Sequence, residues 1–384
     1  MGDRQQASRG VEGARTHGWR RGTVAGVLAL LVAAAPAVAG GFRPALPGYR
    51  YAFPRDHASH PAFRTEWWYY TGHLQTASGR AFGYQLTYFR VGTVPGLALG
   101  PQASPWRSDG VLLAHFAVSD LDAAHFSTAE RLQRGGVGLA GAASDAYDVF
   151  VGGWRAWLEG GRHRLTARDA RQAVDLTLTP RKPAVVHGQD GISRKSDCPT
   201  CASHYYSLTR LQTRGTLALG GEALPVTGTS WMDHEFGSNQ LGRREAGWDW
   251  FSLQLSDGSE LMLYQLRRTD GTPVPQSSGT WVPPTGAPRH LPLASFDVQA
   301  TGRWKSPTSG GEYPMGWMVR VPGEELTLTV SPSFERQEWQ TPGSTGETYW
   351  EGSVKATGTR RGRPITAAGY VELTGYAGRF AAPI

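Results

Sequence analysis

One segment near the middle of the chain concentrates side chains that could perform acid–base chemistry beside aromatic rings. It contains the ionisable residues Asp233, His234, Glu235 and Asp249 and the tryptophans Trp231, Trp248 and Trp250. Carboxyl and imidazole groups held against apolar rings could act on an apolar ligand. The same groups could also form only the well-hydrogen-bonded mouth of a barrel.

The residues that follow predict a hairpin that would hold this segment rigidly. Phe251, Leu253 and Leu255 alternate with polar residues, as in a strand with two unlike faces. Asp257-Gly258 supplies a tight turn, and 261–266, which includes Tyr264, forms the returning strand.

An earlier hairpin has the same character. Trp67 and Trp68 lie in its first strand, and the run Tyr-Gln-Leu at 84–86 recurs at 264–266. Trp68 and Trp248 stand at matching distances before those runs. This repeat predicts duplicated domains, and two unrelated aromatic hairpins are the alternative.

Composition favours an all-β protein. The chain has 384 residues with 50 Gly, 14 Trp and 14 Tyr, and short aromatic or β-branched runs alternate with glycine-rich turns. Antiparallel strands of this kind can close into barrels that hold a ligand. A Gly- and Pro-containing passage at 219–229 predicts the boundary between an N-terminal barrel, 40–225, and a C-terminal barrel, 226–384.

The first 39 residues predict a removable signal peptide. Arginines precede an apolar run that is too short to span a bilayer comfortably, and Ala37-Val38-Ala39 matches a cleavage pattern. We therefore expect an exported protein, periplasmic or secreted, with Sec and twin-arginine export both open. Without this segment the formal charge of +7 falls to about +4, which predicts no nucleic-acid partner.

The two cysteines, Cys198 and Cys201, form a Cys-Pro-Thr-Cys motif. In an exported chain this spacing predicts a local structural disulfide. A redox role would need a βαβ unit, and a zinc site would need ligands beyond His204.

Six motifs in chain order resemble the carotenoid 1,2-hydratase (hydroxyneurosporene synthase) family, which includes AttH-type lipocalin-like proteins. They are EWWYYTGHL, HFAVSD, ASHYYSLTRL, SWMDHEFGSNQL, GWDWFSLQLSDGSELMLYQLR and GYVELTGY. The resemblance covers nearly the whole mature chain. It implies two tandem lipocalin-like barrels and an activity that adds water to a terminal double bond without a cofactor.

Addition of water to a double bond needs a proton donor and a pocket wall that can stabilise the carbocation. A buried carboxyl keeps its proton near neutral pH, and tryptophan faces attract a cation. We predict Asp233, His234, Glu235 and Asp249 as catalytic residues. The predicted ligand-binding residues are Trp67, Trp68, Trp231, Trp248, Trp250 and Tyr264.

The predicted ligand is an apolar small molecule, an isoprenoid, carotenoid or lipid. We expect a monomer with peripheral membrane contact and no metal, because adjacent residues 233–235 of one strand point to opposite faces. A hydro-lyase is favoured, and a non-catalytic carrier at the cell envelope or a secreted hydrolase are the alternatives. His57 and His60, in a proline-rich arm, are expected to be exposed.

Overall fold

The protein is described here by a computed structural model covering residues 41–95, 108, 110–239, 241–242 and 244–382. The predicted signal peptide lies outside these residues. In the described chain all regular structure is β-strand apart from three 3-10 turns, Arg55–His57, Leu293–Ser295 and Pro322–Glu324. No helix among these residues is long and apolar enough to cross a membrane. The all-β prediction is confirmed.

The first sheet has thirteen antiparallel strands that curl into a nearly closed barrel. Its interior is filled by apolar side chains from most of its strands, including Trp68, Tyr84, Phe116 and Leu176. The strands are β1 Thr65–Gln75, β2 Ala81–Gly92, β3 Gly110–Asp120, β4 His125–Arg134, β5 Ala140–Ala142, β6 Asp148–Val151, β7 Trp154–Glu159, β8 Arg162–Arg168, β9 Gln172–Pro180, β10 Val185–Val186, β11 Ser193–Arg194, β12 Ala202–Leu219 and β13 Glu222–Asn239.

The second sheet has ten strands and forms a half-barrel with its own apolar core. Its strands are β14 Glu245–Leu255, β15 Glu260–Arg268, β16 Ser278–Val282, β17 Arg289–Pro292, β18 Asp297–Ala300, β21 Trp317–Val321, β22 Leu326–Pro332, β23 Glu338–Gln340, β24 Thr348–Arg360 and β25 Arg363–Thr374. A separate two-stranded sheet pairs β19 Arg303–Lys305 with β20 Glu312–Pro314.

The boundary between the sheets differs from the predicted one at 225/226. That position falls inside β13, which pairs with β1 and β12 of the first sheet along almost its full length. The second sheet begins at Glu245. Sequence reasoning placed the break too early because Pro225 and Gly228 suggested a linker, whereas β13 continues through both.

The two sheets pack through one face of each. Tyr69, Tyr205 and Trp231 of the first sheet meet Trp250 and Tyr264 of the second in a shared aromatic cluster. Hydrogen bonds join the sheets as well, including His73 Nε2 to Ser353 Oγ at 2.9 Å and Lys182 Nζ to Glu260 Oε2 at 2.7 Å. This contact fixes the position of β13 relative to β14, the two strands that carry the predicted catalytic residues.

The N-terminal arm is not exposed in the way its prolines suggested. His57 is buried, with Nδ1 bonded to Tyr206 Oη at 2.7 Å, and His60 is half-buried against Phe236. Trp68 Nε1 also donates to the carbonyl of His57 at 2.9 Å. The arm therefore folds onto the first barrel, and the expectation of exposed histidines is wrong.

Candidate functional site

Strand alternation sorts the predicted catalytic residues of β13 onto two faces. Asp233 and Glu235 point toward the second sheet with Trp231, while His234 points into the first barrel and stacks on Trp68 at 4.9 Å. His234 is therefore separated from the two carboxylates beside it in sequence. Asp233 and His234, both predicted to be catalytic, thus do not face the same space.

A cavity of about 680 Å³ lies between the two sheets. Trp67 and Tyr205 line it from the first sheet, and Trp248, Trp250 and Tyr264 line it from the second. Among the predicted ligand-binding residues, Trp68 and Trp231 do not line it. Trp68 belongs to the barrel interior, and Trp231 is buried behind the wall, where its Nε1 donates to Asp233 Oδ1 at 2.5 Å.

Asp233 is a cavity carboxyl held by fixed donors. Tyr205 Oη donates to its Oδ2 at 2.6 Å, and Ser207 Oγ and Trp231 Nε1 donate to its Oδ1. Burial raises the pKa of Asp233 to about 7, although these three hydrogen bonds oppose the shift. A carboxylate offers about four lone-pair sites, so one acceptor site remains for a ligand or water.

Glu372, on β25, is the second cavity carboxyl with a strongly shifted pKa. Its Oε2 accepts a hydrogen bond from Trp248 Nε1 at 2.7 Å. Burial raises the pKa of Glu372 to about 7. The charges of Asp233 and Glu235 also raise this pKa, whereas the hydrogen bond from Trp248 and the charge of Lys195 lower it. Glu372 can therefore hold a proton at neutral pH beside tryptophan rings.

Glu235 lines the same cavity as half of a buried ion pair. Lys195 Nζ lies 2.9 Å from its Oε2, and Ser203 Oγ donates to the same oxygen. The ammonium also lies 5.3 Å from the ring centre of Tyr205 and 4.9 Å from that of Tyr264. This pairing holds the Glu235 side chain in place with charge-assisted hydrogen bonding from Lys195.

A further carboxyl, that of Glu351 on β24, lies directly opposite Glu372 in the pairing of β24 with β25. Tyr69 Oη, which belongs to the cavity wall, bonds to Glu351 Oε1. Burial and the neighbouring charge of Glu372 raise the pKa of Glu351 well above its usual range. Two like carboxylates directly opposite each other would destabilise a sheet, so this pair favours protonated carboxyls at this point.

His234 belongs to a hydrogen-bonded cluster in the first barrel. Its Nε2 lies 2.9 Å from Glu66 Oε1, which His60 Nδ1 also approaches at 2.7 Å. Ligand atoms of these three residues lie within 4.8 Å of one another, as a metal site would require. Glu66 already accepts bonds from Ser59, the His60 amide and Arg90 Nε at 3.0 Å. Its acceptor sites are therefore filled, and the nearby guanidinium opposes a cation.

Asp249 also lies off the cavity. Arg267 Nε bonds to its Oδ1 at 2.8 Å, and Tyr376 Oη donates to the carboxylate at 3.0 Å. Alternation on β14 explains the placement, because Trp248 and Trp250 face the cavity and Asp249 faces the other way. Asp249, which was predicted to be catalytic, therefore lies in an ion pair inside the second sheet and does not line the cavity.

The two cysteines are joined in a disulfide with a Cα–Cα separation of 5.2 Å. Both residues line the cavity, as does Lys195 from the same loop. The disulfide therefore closes a short loop that carries part of the ligand-facing wall. Its place in the wall was not foreseen from the sequence.

Sequence reasoning missed three residues of the site, namely Glu372, Lys195 and Glu351. A signal existed for Glu372, because it shares one face of the closing strand GYVELTGY with Tyr370 and Thr374. A charged residue in the middle of such an aromatic strand, with Val371 and Leu373 on the other face, points to a polar pocket. Lys195 has no comparable signal, because its partner Glu235 lies forty residues away in sequence.

Comparison with known proteins agrees with this architecture. The AttH-like family model matches residues 44–376. An AttH-like protein from Nitrosomonas europaea is 34% identical with a TM-score of 0.77, over 87% of this chain and 99% of that one. Kievitone hydratase from Nectria haematococca has a similar fold at 16% identity, with a TM-score of 0.65 over 85% of this chain and 93% of that one.

A curated relative matches over a shorter stretch. The dehydratase asqC of Emericella nidulans is 22% identical over 217 residues, which is 55% of this chain and 60% of that protein. The chain thus spans less than two thirds of that relative. The resemblance first indicated by the sequence motifs is confirmed by the family match, and the chain belongs to the AttH-like family.

Proposed function

We propose that this protein is a hydratase or dehydratase that adds water to, or removes it from, a carbon–carbon double bond of an apolar small molecule held between the two sheets. The observation that carries the proposal is Glu372, a carboxyl that keeps its proton near neutral pH against the indole of Trp248. The hydratase and dehydratase among the related proteins support the same reaction class.

In the hydration direction, protonated Glu372 gives its proton to one alkene carbon. The faces of Trp248 and Trp250 attract the positive charge that develops on the other carbon, worth about 0.5–2 kcal/mol per ring. A water molecule attacks that carbon, and its surplus proton passes to the free acceptor site of Asp233. The product has gained one hydrogen and one hydroxyl, and dehydration reverses each step.

This assignment predicts a narrow pH optimum. Hydration requires Glu372 to be protonated and Asp233 to be ionised, and the pKa of each is about 7. Activity should therefore fall on both sides of neutrality. Because the two charges act on each other, the apparent values belong to the pair.

Cavity size and lining define the substrate class. A volume of about 680 Å³ suits a molecule of drug size, and the aromatic wall favours an isoprenoid or similar lipid. A long carotenoid would enter by one end only. Export to the periplasm or medium, with a substrate collected at the membrane surface, is part of the proposal. The N-terminal sequence and the Cys198–Cys201 disulfide support it.

The test is incorporation of oxygen from labelled water. Purified protein is incubated in H₂¹⁸O with geraniol, farnesol or lycopene, and the products are analysed by mass spectrometry. We expect labelled alcohol from the wild type and a loss of about a hundredfold or more in Glu372→Gln. Glu159→Gln, the same change on the exposed end of β7, is the control. Binding of these probes without any labelled product would instead identify a carrier.

A further inference from the structure

The ion pair between Glu235 and Lys195 leaves part of its hydrogen-bonding capacity to the cavity. Lys195 Nζ lies 2.9 Å from Glu235 Oε2, and Ser203 Oγ donates to that same oxygen. The other oxygen, Oε1, has no hydrogen-bond partner among the described residues, yet it is not sealed off in the protein interior. Because Glu235 lines the cavity, this oxygen is available to a molecule bound there.

The ammonium group of Lys195 faces the same cavity. Burial disfavours its charged form, but the carboxylate of Glu235 outweighs burial and raises the pKa of Lys195 above its ordinary value. One of its three N–H groups is used by Glu235, and the others meet the rings of Tyr205 and Tyr264, whose centres lie at 5.3 and 4.9 Å. An oxygen atom is a stronger acceptor than a ring face, so Lys195 can donate to an oxygen in the cavity.

A hydroxyl group satisfies both members of the pair at once. Its hydrogen can donate to Glu235 Oε1, and its oxygen can accept from Lys195 Nζ. An ether or carbonyl oxygen could use only the ammonium group. A carboxylate would be repelled by Glu235 and by Asp233, which line the same cavity.

The surroundings of the pair suit an apolar chain attached to that hydroxyl. Trp67 and Tyr205 pair directly with Glu235 from the strands on either side, and both line the cavity. Asp233 stands two residues earlier on the same face of β13, about 7 Å away along the strand. A hydroxyl bound at Glu235 is therefore distinct from the group that reacts beside Asp233 and Glu372.

We propose that Glu235 and Lys195 form a subsite for a hydroxyl group of the substrate, which is then an alcohol with an apolar chain rather than a hydrocarbon. This proposal names the substrate class of the hydratase function proposed above and rests on that function for the reacting end. The hydroxyl anchors one end of the molecule, and the chain carries the double bond to Glu372 and Asp233. A hydrocarbon would strip water from Glu235 Oε1 and leave the oxygen unpaired, which weakens binding.

An apolar cavity without this subsite would show the opposite preference. Moving a hydroxyl from water into apolar surroundings is unfavourable, so a hydrocarbon would bind at least as tightly as the alcohol with the same chain. Three matched ligands separate the two cases. Farnesol carries the hydroxyl, farnesyl methyl ether keeps the oxygen but has no hydrogen to donate, and farnesene has no oxygen.

The first measurement uses the wild type alone. Dissociation constants are obtained from quenching of tryptophan fluorescence, since Trp67, Trp248 and Trp250 lie in the cavity wall. We expect farnesol to bind about ten- to a hundredfold more tightly than either other ligand, the usual range for a hydrogen bond to a charged group. Equal binding of the three ligands, tightest binding of farnesene, or no binding of farnesol would overturn the subsite.

The double variant Lys195→Met/Glu235→Gln tests the assignment to these two residues. It removes both charges together, so neither group is left buried without its partner. The advantage of farnesol over farnesene should fall about tenfold, because glutamine accepts only a neutral hydrogen bond and no ammonium remains. A full farnesol advantage in this variant, with thermal unfolding as cooperative as in the wild type, would overturn the assignment.

The matched control is Arg320→Met/Asp297→Asn. It removes an ion pair of 3.0 Å between β21 and β18, whose members do not line the cavity. All three dissociation constants should equal those of the wild type. A loss of the farnesol advantage in this control as well would overturn the assignment to Glu235 and Lys195.

Turnover in labelled water separates failure of the subsite from failure of the hydratase function. Labelled product from farnesol, without any preference among the three ligands, would overturn the subsite and leave the hydratase function standing. A clear preference for farnesol without labelled product from any of the three ligands would overturn the hydratase function and leave a hydroxyl-binding subsite.

Discussion

Replacing Glu372 with glutamine should stabilise the protein at alkaline pH and leave its stability unchanged at acidic pH. Glutamine keeps the shape of the protonated acid and can still accept the hydrogen bond from Trp248 Nε1. The variant therefore differs from the wild type only at pH values at which Glu372 of the wild type is ionised. Its effect therefore measures the cost of a negative charge at this position in the cavity.

The magnitude follows from the difference between the folded and ordinary pKa of Glu372. Burial raises the pKa from its ordinary value of 4.5 to about 7. Below 4.5 the group is protonated in the folded and unfolded chains alike, so it contributes no difference. Between 4.5 and 7 the folded chain binds more protons, and the wild type loses stability as pH rises.

At 1.36 kcal/mol per pH unit the full shift corresponds to about 3 kcal/mol. Glu372 is half-buried, so solvent screening reduces the measurable gain to about 1–2 kcal/mol. Urea denaturation at pH 4, 6 and 8.5 gives the free energy of unfolding of each protein. Glu159→Gln should show no such trend. A Glu372→Gln variant whose advantage is the same at all three pH values would refute a raised pKa at this site.

Three further predictions follow from the cavity wall. Trp248→Phe removes the donor to Glu372 Oε2, so the alkaline limb of the activity profile should move to higher pH. Lys195→Met leaves Glu235 buried without its partner and should lower the free energy of unfolding by about 3 kcal/mol at pH 8. The double variant Lys195→Met/Glu235→Gln should recover much of this loss. No recovery would contradict the assignment of Lys195 and Glu235 as an ion pair. Replacing both cysteines with serine should cost about 1–2 kcal/mol in denaturation, because the loop is short, and should weaken ligand binding without abolishing turnover; complete loss of turnover would point to a redox role.

The sequence was sufficient for the fold class because strand signals are local. Alternation in 251–256 and 370–375, glycine turns and aromatic runs each appear within a few residues, and all of them belong to strands or their turns in the structure. The boundary of the second sheet was harder to predict. Pro225 lies within a strand pair and Gly228 sits directly against the backbone of His73, with a Cβ position 1.8 Å from its carbonyl oxygen. In the sequence both residues resemble linker residues, whereas in the structure both lie within paired strands.

The site was predicted in part for a similar reason. Asp233, Glu235, Trp248 and Trp250 are brought to one cavity, but strand alternation turns His234 and Asp249 away from it. Proximity in sequence suggested a single cluster, although period-two geometry divides neighbours between two faces. The partners that shift the carboxyl pKa values come from distant parts of the chain, Lys195 from a loop and Glu372 from β25. Only the folded chain identifies them.

The central claim is that Glu372 holds a proton in the cavity at neutral pH, and its titration can be measured directly. Protein carrying ¹³C in the glutamate carboxyl groups is titrated by NMR, with the Glu372 signal assigned by its loss in Glu372→Gln. The account predicts a midpoint near 7, lifted by burial and by the charges of Asp233 and Glu235. A midpoint near the ordinary 4.5 would leave the cavity without the acid that the proposed reaction requires and would contradict the account.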